Sequence, residues 1–237
     1  ATEEQDWTGL PVIFDEVFTG INRLGRFSAA TFLKVHPDIS VYAKLLTGGL
    51  IPLCLTMASQ SVFNAFLSED KTDALLHGHS YTAHAVGCEV ALRSMQIMDS
   101  VTNLKTGPWS EWRKAWLPTT NTLSPDQTLE ENNSDQKVQV WSMWSQQFVR
   151  TLSHKEQVDN IFAIGCVLAI SLRDPLGSGY TSTAAAGLQK RLLADEAERG
   201  WVIHSRVLGN VLYLMTSLTA KLETVRAVEA FVESELA

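Results

Sequence analysis

One lysine, Lys44, stands inside the apolar stretch VYAKLLTGG that runs from Val41 to Gly49, and one acid, Asp15, closes the apolar run of VIFDEVFTG. A lysine desolvated by Val41, Tyr42, Leu45 and Leu46 would present a neutral, nucleophilic amine, which is what imine formation with a carbonyl requires. The same spacing also allows a lysine whose stem lies along hydrophobes while its head reaches water. Asp15 has several readings too: a helix cap, a Mg²⁺ ligand, a salt-bridge partner or a ligand-directed group, since strand ends are where α/β sheets bind ligands. Together the two residues define a chemistry. An imine-forming amine, with a carboxylate that keeps a heteroaromatic ring nitrogen protonated, creates an electron sink for carbanions.

A parallel sheet would bring both strand ends to one crevice. Leu10-Pro-Val-Ile-Phe14 is a continuous apolar run, the pattern of a strand buried on both faces. Ile39–Ala43 reads as a second strand, after the turn signal His36-Pro37-Asp38, and Ile51–Met57 as a third. Between them Thr47-Gly48-Gly49 marks a tight turn or a close backbone approach. Val62, Phe63, Phe66 and Leu67 within Ser59–Ser68 recur at helical spacing, as do Val86, Val90, Ala91, Ser94, Met95 and Met98 within Ala83–Ser100. Both segments read as helices packed on a sheet.

From Val101 to Gln139 polar and acidic residues dominate; Trp109, Trp112 and Trp116 read as covering a domain seam, and TLSPDQTLEENNSDQ as an exposed loop or insertion. Farther on, Ile161–Leu172 reads as one strand and Thr183–Glu198 as a helix, and a strand pair is expected around Trp201–Ile203 and Val211–Met215. Leu218, Leu222, Val225, Val228 and Val232 mark a C-terminal amphipathic helix.

Three linked segments, DEVFTGINRLGR, HPDISVYAKLLTGG and LLHGHSYTAHAVGCEVALRSM, resemble the class III, fold-type I aminotransferases in wording, order and spacing. LLHGHSYTAHAVGC and GWVIHSRVLGNVLYLM are most similar to the branch that makes 7,8-diaminopelargonic acid in biotin synthesis, in its eukaryotic form fused to dethiobiotin synthetase. The resemblance implies an α/β fold. Residues 1–100 would be the latter part of a large pyridoxal 5'-phosphate (PLP) domain, with a mostly parallel sheet and helices on both faces. Residues 101–140 would be a linker or insertion, and 141–237 a small α+β C-terminal domain.

By position, the resemblance makes Lys44 the imine-forming lysine and the base for the 1,3-proton shift. Asp15 becomes the ring-nitrogen carboxylate and Val17 the apolar residue against the ring face. Gly78, His79 and Ser80 match a segment that reaches across a dimer interface, where the Ser80 hydroxyl would touch the neighbour's cofactor phosphate. The family usually has Thr where Ser80 stands, and Asn-Pro where this chain has His84-Ala85. Arg206 matches the arginine that grips a substrate carboxylate, a task suited to a planar guanidinium. The phosphate cradle and stacking aromatic of the family's first half have no counterpart in these 237 residues, so the chain reads as about the C-terminal half of an aminotransferase.

The expected reaction is ping-pong amino transfer from S-adenosylmethionine to 7-keto-8-aminononanoate. Alternatives are another class III ω-aminotransferase, acting on ornithine, 4-aminobutyrate or a diamine, and a degenerate module kept for assembly. The expected partners are small-molecule substrates and a second copy of the chain. A net charge of -7 and a pI near 5.4 argue against nucleic acid and anionic membranes. No apolar run approaches the ~20 residues of a membrane span. Cys54, Cys88 and Cys166 lack zinc or disulfide spacing, and His77, His79 and His84 do not resemble a metal set. The start at Ala1, without an initiator Met, reads as a processed chain or a fragment. The fused relatives imply a mitochondrial location, with the cytoplasm as the alternative.

Overall fold

A computed structural model describes residues 9–75, 78, 80–102, 109–116, 139–175, 177, 179–194 and 201–237. The chain divides into two compact units, Ala1–Ser100 and Val101–Ala237.

The first unit holds a three-stranded sheet in the order β1-β2-β3, with β1 at Ile13–Asp15, β2 at Ile39–Tyr42 and β3 at Leu55–Ala58. β1 and β2 are parallel, with Asp15 opposite Val41, whereas β3 runs antiparallel to β2. The third strand starts later than the apolar run because Pro52, which has no N–H to give to a ladder, lies in the irregular stretch before it. β1 is not buried on both faces as expected: Ile13 is 60% and Leu10 91% exposed, because no described element covers those side chains. Helix α1 (Ala30–Leu33) precedes β2, and α2 (Gln60–Asn64) starts at Ser59, whose hydroxyl accepts from Val62 N. Phe63, Phe66 and Leu67 are exposed rather than packed.

Helix α3 (Ala85–Thr102) turns Gly87, Ala91, Ser94 and Met98 toward the unit's core, and leaves Val86 and Met95 outside. That core is small: Ile21, Tyr42, Leu46 and Ala91, with Leu45, Leu53 and Met98 against it. Ser94 Oγ donates to Leu45 O at 2.9 Å, which ties α3 to the segment after β2.

The second unit is a four-stranded antiparallel sheet, β4-β5-β7-β6, backed by helices. Helices α4 (Trp109–Trp116) and α5 (Gln146–Ser153) precede β4 (Val158–Ile164) and β5 (Val167–Leu172). The run Ile161–Leu172 is therefore the body of a hairpin and not one strand. It breaks at Gly165, whose φ of +53° suits glycine and whose N–H and C=O bond to Trp141 O and Met143 N. Helix α6 (Ala184–Leu193) follows, then β6 (Arg206–Leu208), β7 (Val211–Met215) and α7 (Leu222–Glu235). The strand expected at Trp201–Ile203 is displaced to Arg206–Leu208, because the turn at Gly209-Asn210 sets β7's partner and pairs Arg206 with Tyr213.

Leu168 and Ile170 of β5, Leu212 and Leu214 of β7, and Leu152, Leu188, Leu192 and Val232 of the helices are all buried. Trp109 and Trp112 are buried within this unit; the Trp109 indole N–H donates to Leu218 O at 2.9 Å, and its ring meets Trp141 edge-on at 4.8 Å. Glu229 of α7, also buried, accepts from the Ser145 N–H at 2.6 Å, its hydroxyl at 3.1 Å and Arg226 at 2.6 Å, so the residue that caps α5 is held by α7. At the β6–β7 turn a Cβ on Gly209 (φ +61°) would sit 1.8 Å from Gly179 O. Asn210 joins the same place, accepting from Gly179 N at 3.1 Å and donating to Leu172 O at 3.0 Å.

Candidate functional site

The candidate site lies in the first unit, at the C-terminal ends of the parallel pair β1 and β2. Asp15 is the last residue of β1, and its Oδ1 accepts from Val17 N at 3.0 Å, which turns the chain sharply out of the strand. The next residue, Glu16, extends the ladder by donating its N–H to Val41 O at 2.9 Å.

Ala43 is extended, and Lys44 follows with φ +50° as the first residue of a one-turn 3₁₀ helix, Lys44–Leu46. A β-carbon-bearing residue in the left-handed region is uncommon, and such backbone concentrates at functional sites. Tyr42 and Leu46 turn inward, while Lys44 is exposed. Desolvation by its neighbours in sequence is thus not what surrounds this amine: the backbone reversal at Lys44 sends its side chain away from them. Thr47 is buried and donates to Ile51 O at 2.6 Å, closing the turn behind the lysine. Gly48 and Gly49 have φ +62° and +85° with open space where a Cβ would sit, so they serve the turn and not a close approach.

Lys44 lines an open cavity of about 970 Å³, a volume in the range of small-molecule and cofactor sites. Its other walls include Thr47, Cys54, Tyr81, Thr82 and His84. His84 stands where the expected pattern has Asn, and it still works as a cap: its Nδ1 accepts from Gly87 N at 3.1 Å at the start of α3. Among the described residues no group of His, Cys, Asp and Glu could hold a metal ion; His77 and His79 lie outside the described residues.

The structure thus brings Asp15, Val17 and Lys44 to one end of one sheet. Gly78 and Ser80 are exposed, in the segment leading to the cavity-lining residues 81–84. Arg206 belongs to the second unit, exposed at the start of β6.

Within the segment DEVFTGINRLGR the sequence singled out Asp15 and Val17 but gave no role to the hydrogen-bonded loop from Glu16 to Ala29. Glu16 is 1% exposed, and its carboxylate accepts from Ala29 N at 2.8 Å, Thr19 Oγ1 at 3.2 Å and Ser28 Oγ. A buried carboxylate is tolerable only with such donors. The partners stand up to thirteen residues away, and only the folded loop makes them neighbours. Inside the loop, burial pulls the Arg26 guanidinium below its usual pKa range. Gly20 is required by contact: a Cβ there would lie 2.6 Å from the Tyr42 ring and 2.8 Å from Glu16 O.

Residues 6–107, which include the whole of this site, match the class-III aminotransferase family. These residues are class-III aminotransferase sequence. The class is PLP-dependent. The chain is 54% identical over 230 residues to a bifunctional dethiobiotin synthetase/adenosylmethionine-8-amino-7-oxononanoate aminotransferase of Emericella nidulans, covering 97% of this chain and 27% of that protein. A bifunctional dethiobiotin synthetase/7,8-diamino-pelargonic acid aminotransferase of Oryza sativa, described as mitochondrial, is 39% identical over 207 residues, which are 87% of this chain and 21% of that protein. The fold is that of solved aminotransferases. An adenosylmethionine-8-amino-7-oxononanoate aminotransferase from Methanocaldococcus jannaschii superposes with a TM-score of 0.66 at 24% identity, over 94% of this chain and 45% of that one. The chain spans about a quarter of the length of the curated fused relatives it matches.

Proposed function

We propose that this chain supplies the reactive lysine and part of the substrate site of a PLP-dependent aminotransferase of biotin synthesis, which moves an amino group from S-adenosylmethionine to 7-keto-8-aminononanoate. The observation that carries this reading is the 54% identity to the Emericella fusion protein along 97% of the chain, second unit included. The residues fit the cofactor: an exposed amine opens on a cavity of suitable size, and the neighbouring parallel strand ends in a carboxylate.

When bound, PLP supplies the electron sink that makes a substrate C–H acidic. The chain's part follows from its groups. Lys44 Nζ is the nucleophile that secures the cofactor, and then the base that removes a proton from one carbon and delivers it to another. The Asp15 carboxylate holds a proton on the ring nitrogen, and Val17 covers a ring face and excludes water. Ser80 would donate to a phosphate oxygen across a dimer interface, and Gly78 and His79 are assigned to substrate binding by the same motif match. Arg206 binds a substrate carboxylate through two parallel N–H donors.

In this reading the complete protein is a homodimer with shared sites, carries dethiobiotin synthetase activity on the same polypeptide, and resides in the mitochondrion, as the Oryza relative is described. In the complete protein, borohydride will fix the cofactor on Lys44, seen as a mass shift on its peptide. S-adenosylmethionine will bleach the visible absorption in a single turnover, while ornithine and 4-aminobutyrate will not. Bleaching by the latter pair alone would refute the substrate assignment.

A further inference from the structure

Two cations meet at one aromatic ring beside the reactive lysine. The Lys44 ammonium lies 5.2 Å from the centroid of Phe18, and the Arg23 guanidinium 4.8 Å from the same ring. Phe18 belongs to the loop closed by Glu16, and that loop is fixed at its far end where Ala29 N–H meets the Glu16 carboxylate. Arg23 is buried, and its Nε donates to the Phe18 carbonyl at 2.6 Å, so one side chain grips both the backbone and the ring of the same residue. The ring is therefore placed independently of Lys44. Lys44 in turn reaches it from a left-handed backbone that aims the side chain out of β2's path.

We infer that Phe18 is a positioning residue for the Lys44 amine: the negative face of its ring seats the ammonium at the cavity, and Arg23 keeps the ring in place. A long, exposed lysine otherwise samples many rotamers. A quadrupole within 6 Å of the ammonium biases it toward one of them without a counter-charge that would hold it too firmly to react. Leucine at position 18 would fill similar space but offer no π face. The inference rests on the proposed role of Lys44.

The test uses the complete protein freed of cofactor, acetylated with acetic anhydride for short times, with Lys44 modification read by mass spectrometry against Lys34 as internal reference. A reagent must draw the amine off the ring, so Phe18→Leu is expected to raise the relative labelling rate of Lys44 by about two- to fivefold, and Phe18→Tyr to leave it at the wild-type value. Pentafluorophenylalanine at position 18 keeps the ring's shape while inverting its quadrupole, and is expected to behave as leucine does even if Phe18→Leu fails to fold. Equal labelling of the fluorinated and wild-type proteins would overturn the inference, as would Phe18→Tyr labelling as fast as the fluorinated protein. Borohydride trapping on Lys44 in the wild type is scored separately: its failure refutes the proposed function, whereas trapping with unchanged labelling refutes only the role of Phe18.

Discussion

Among the described residues the two units differ in how much apolar surface they bury within this chain. The second buries a continuous apolar layer, with Leu168, Ile170, Leu192, Leu212 and Val232 sealed between sheet and helices. Among the described residues of the first, Ile21, Tyr42, Leu46 and Ala91 form a buried cluster while Leu10, Ile13, Phe63 and Leu67 lie in the open. What orders the first unit instead is polar and stereochemical: a carboxylate with several donors, a lysine in left-handed backbone, glycines in turns. Shape in one unit comes from hydrophobic burial. In the other, the residues that could react are held by hydrogen bonds and backbone geometry, which place atoms well but add little cooperative stability.

The contrast can be tested by substitution, beginning with the core. Ile170→Ala should cost the second unit about 2–5 kcal/mol, while Ile13→Ala, on an exposed strand, should change stability by no more than about 0.5 kcal/mol. Urea unfolding of the two variants measures the difference, and equal losses would break the comparison. Next, Glu16→Ala should remove about 1.5–3 kcal/mol by stranding the Ala29 N–H and two hydroxyls, with hydrogen exchange quickened from residue 17 to 29. Uniform destabilisation without that local signature would mean that the loop is held otherwise. Gly20→Ala should cost about 1–3 kcal/mol by pushing on Tyr42, visible as a change in tyrosine fluorescence.

The smallest effect concerns Asp70, which caps the one-turn helix Lys71–Asp73. Its carboxylate is held below the usual pKa by the Thr72 N–H first and the Thr72 hydroxyl second. A depressed folded-state pKa stabilises the charged form, so the cap is fully present above the unfolded carboxylate's pKa and fades as pH falls through the folded value. Amide exchange at Thr72, corrected for intrinsic rates, should quicken over that acid window in the wild type, and show no such pH step in Asp70→Asn.

The strand ends that carry Asp15 and Lys44 were legible because their signals are local. Asp15 and Lys44 each close a short apolar run; the second run marks β2 to within one residue, whereas β1 starts at Ile13, later than the run that begins at Leu10. The β4–β5 hairpin was hidden for the converse reason: hydrophobicity continues straight through Gly165-Cys166, and only a positive φ marks the turn. β6 was misplaced because Trp201–Ile203 is the more apolar segment, whereas pairing is decided by the turn at Gly209. Glu16 and Phe18 stand inside a quoted motif, but their individual roles were not legible, since these rest on partners that the chain's path, and not its spacing, brings near.

The contact between Gly179 and Gly209 carries a consequence for how this sequence can vary. Thirty residues apart in the chain, the two backbones touch with no room for even a methyl group on Gly209, and Asn210 bonds across the same junction. The hairpin that presents Arg206 and the loop before α6 therefore form one inherited locus. Replacing Gly209 by a larger residue demands a compensating shift of the Gly179 loop, whereas a Cβ on Gly179 itself meets open space, so which residues position 209 accepts is expected to depend on the path of that loop.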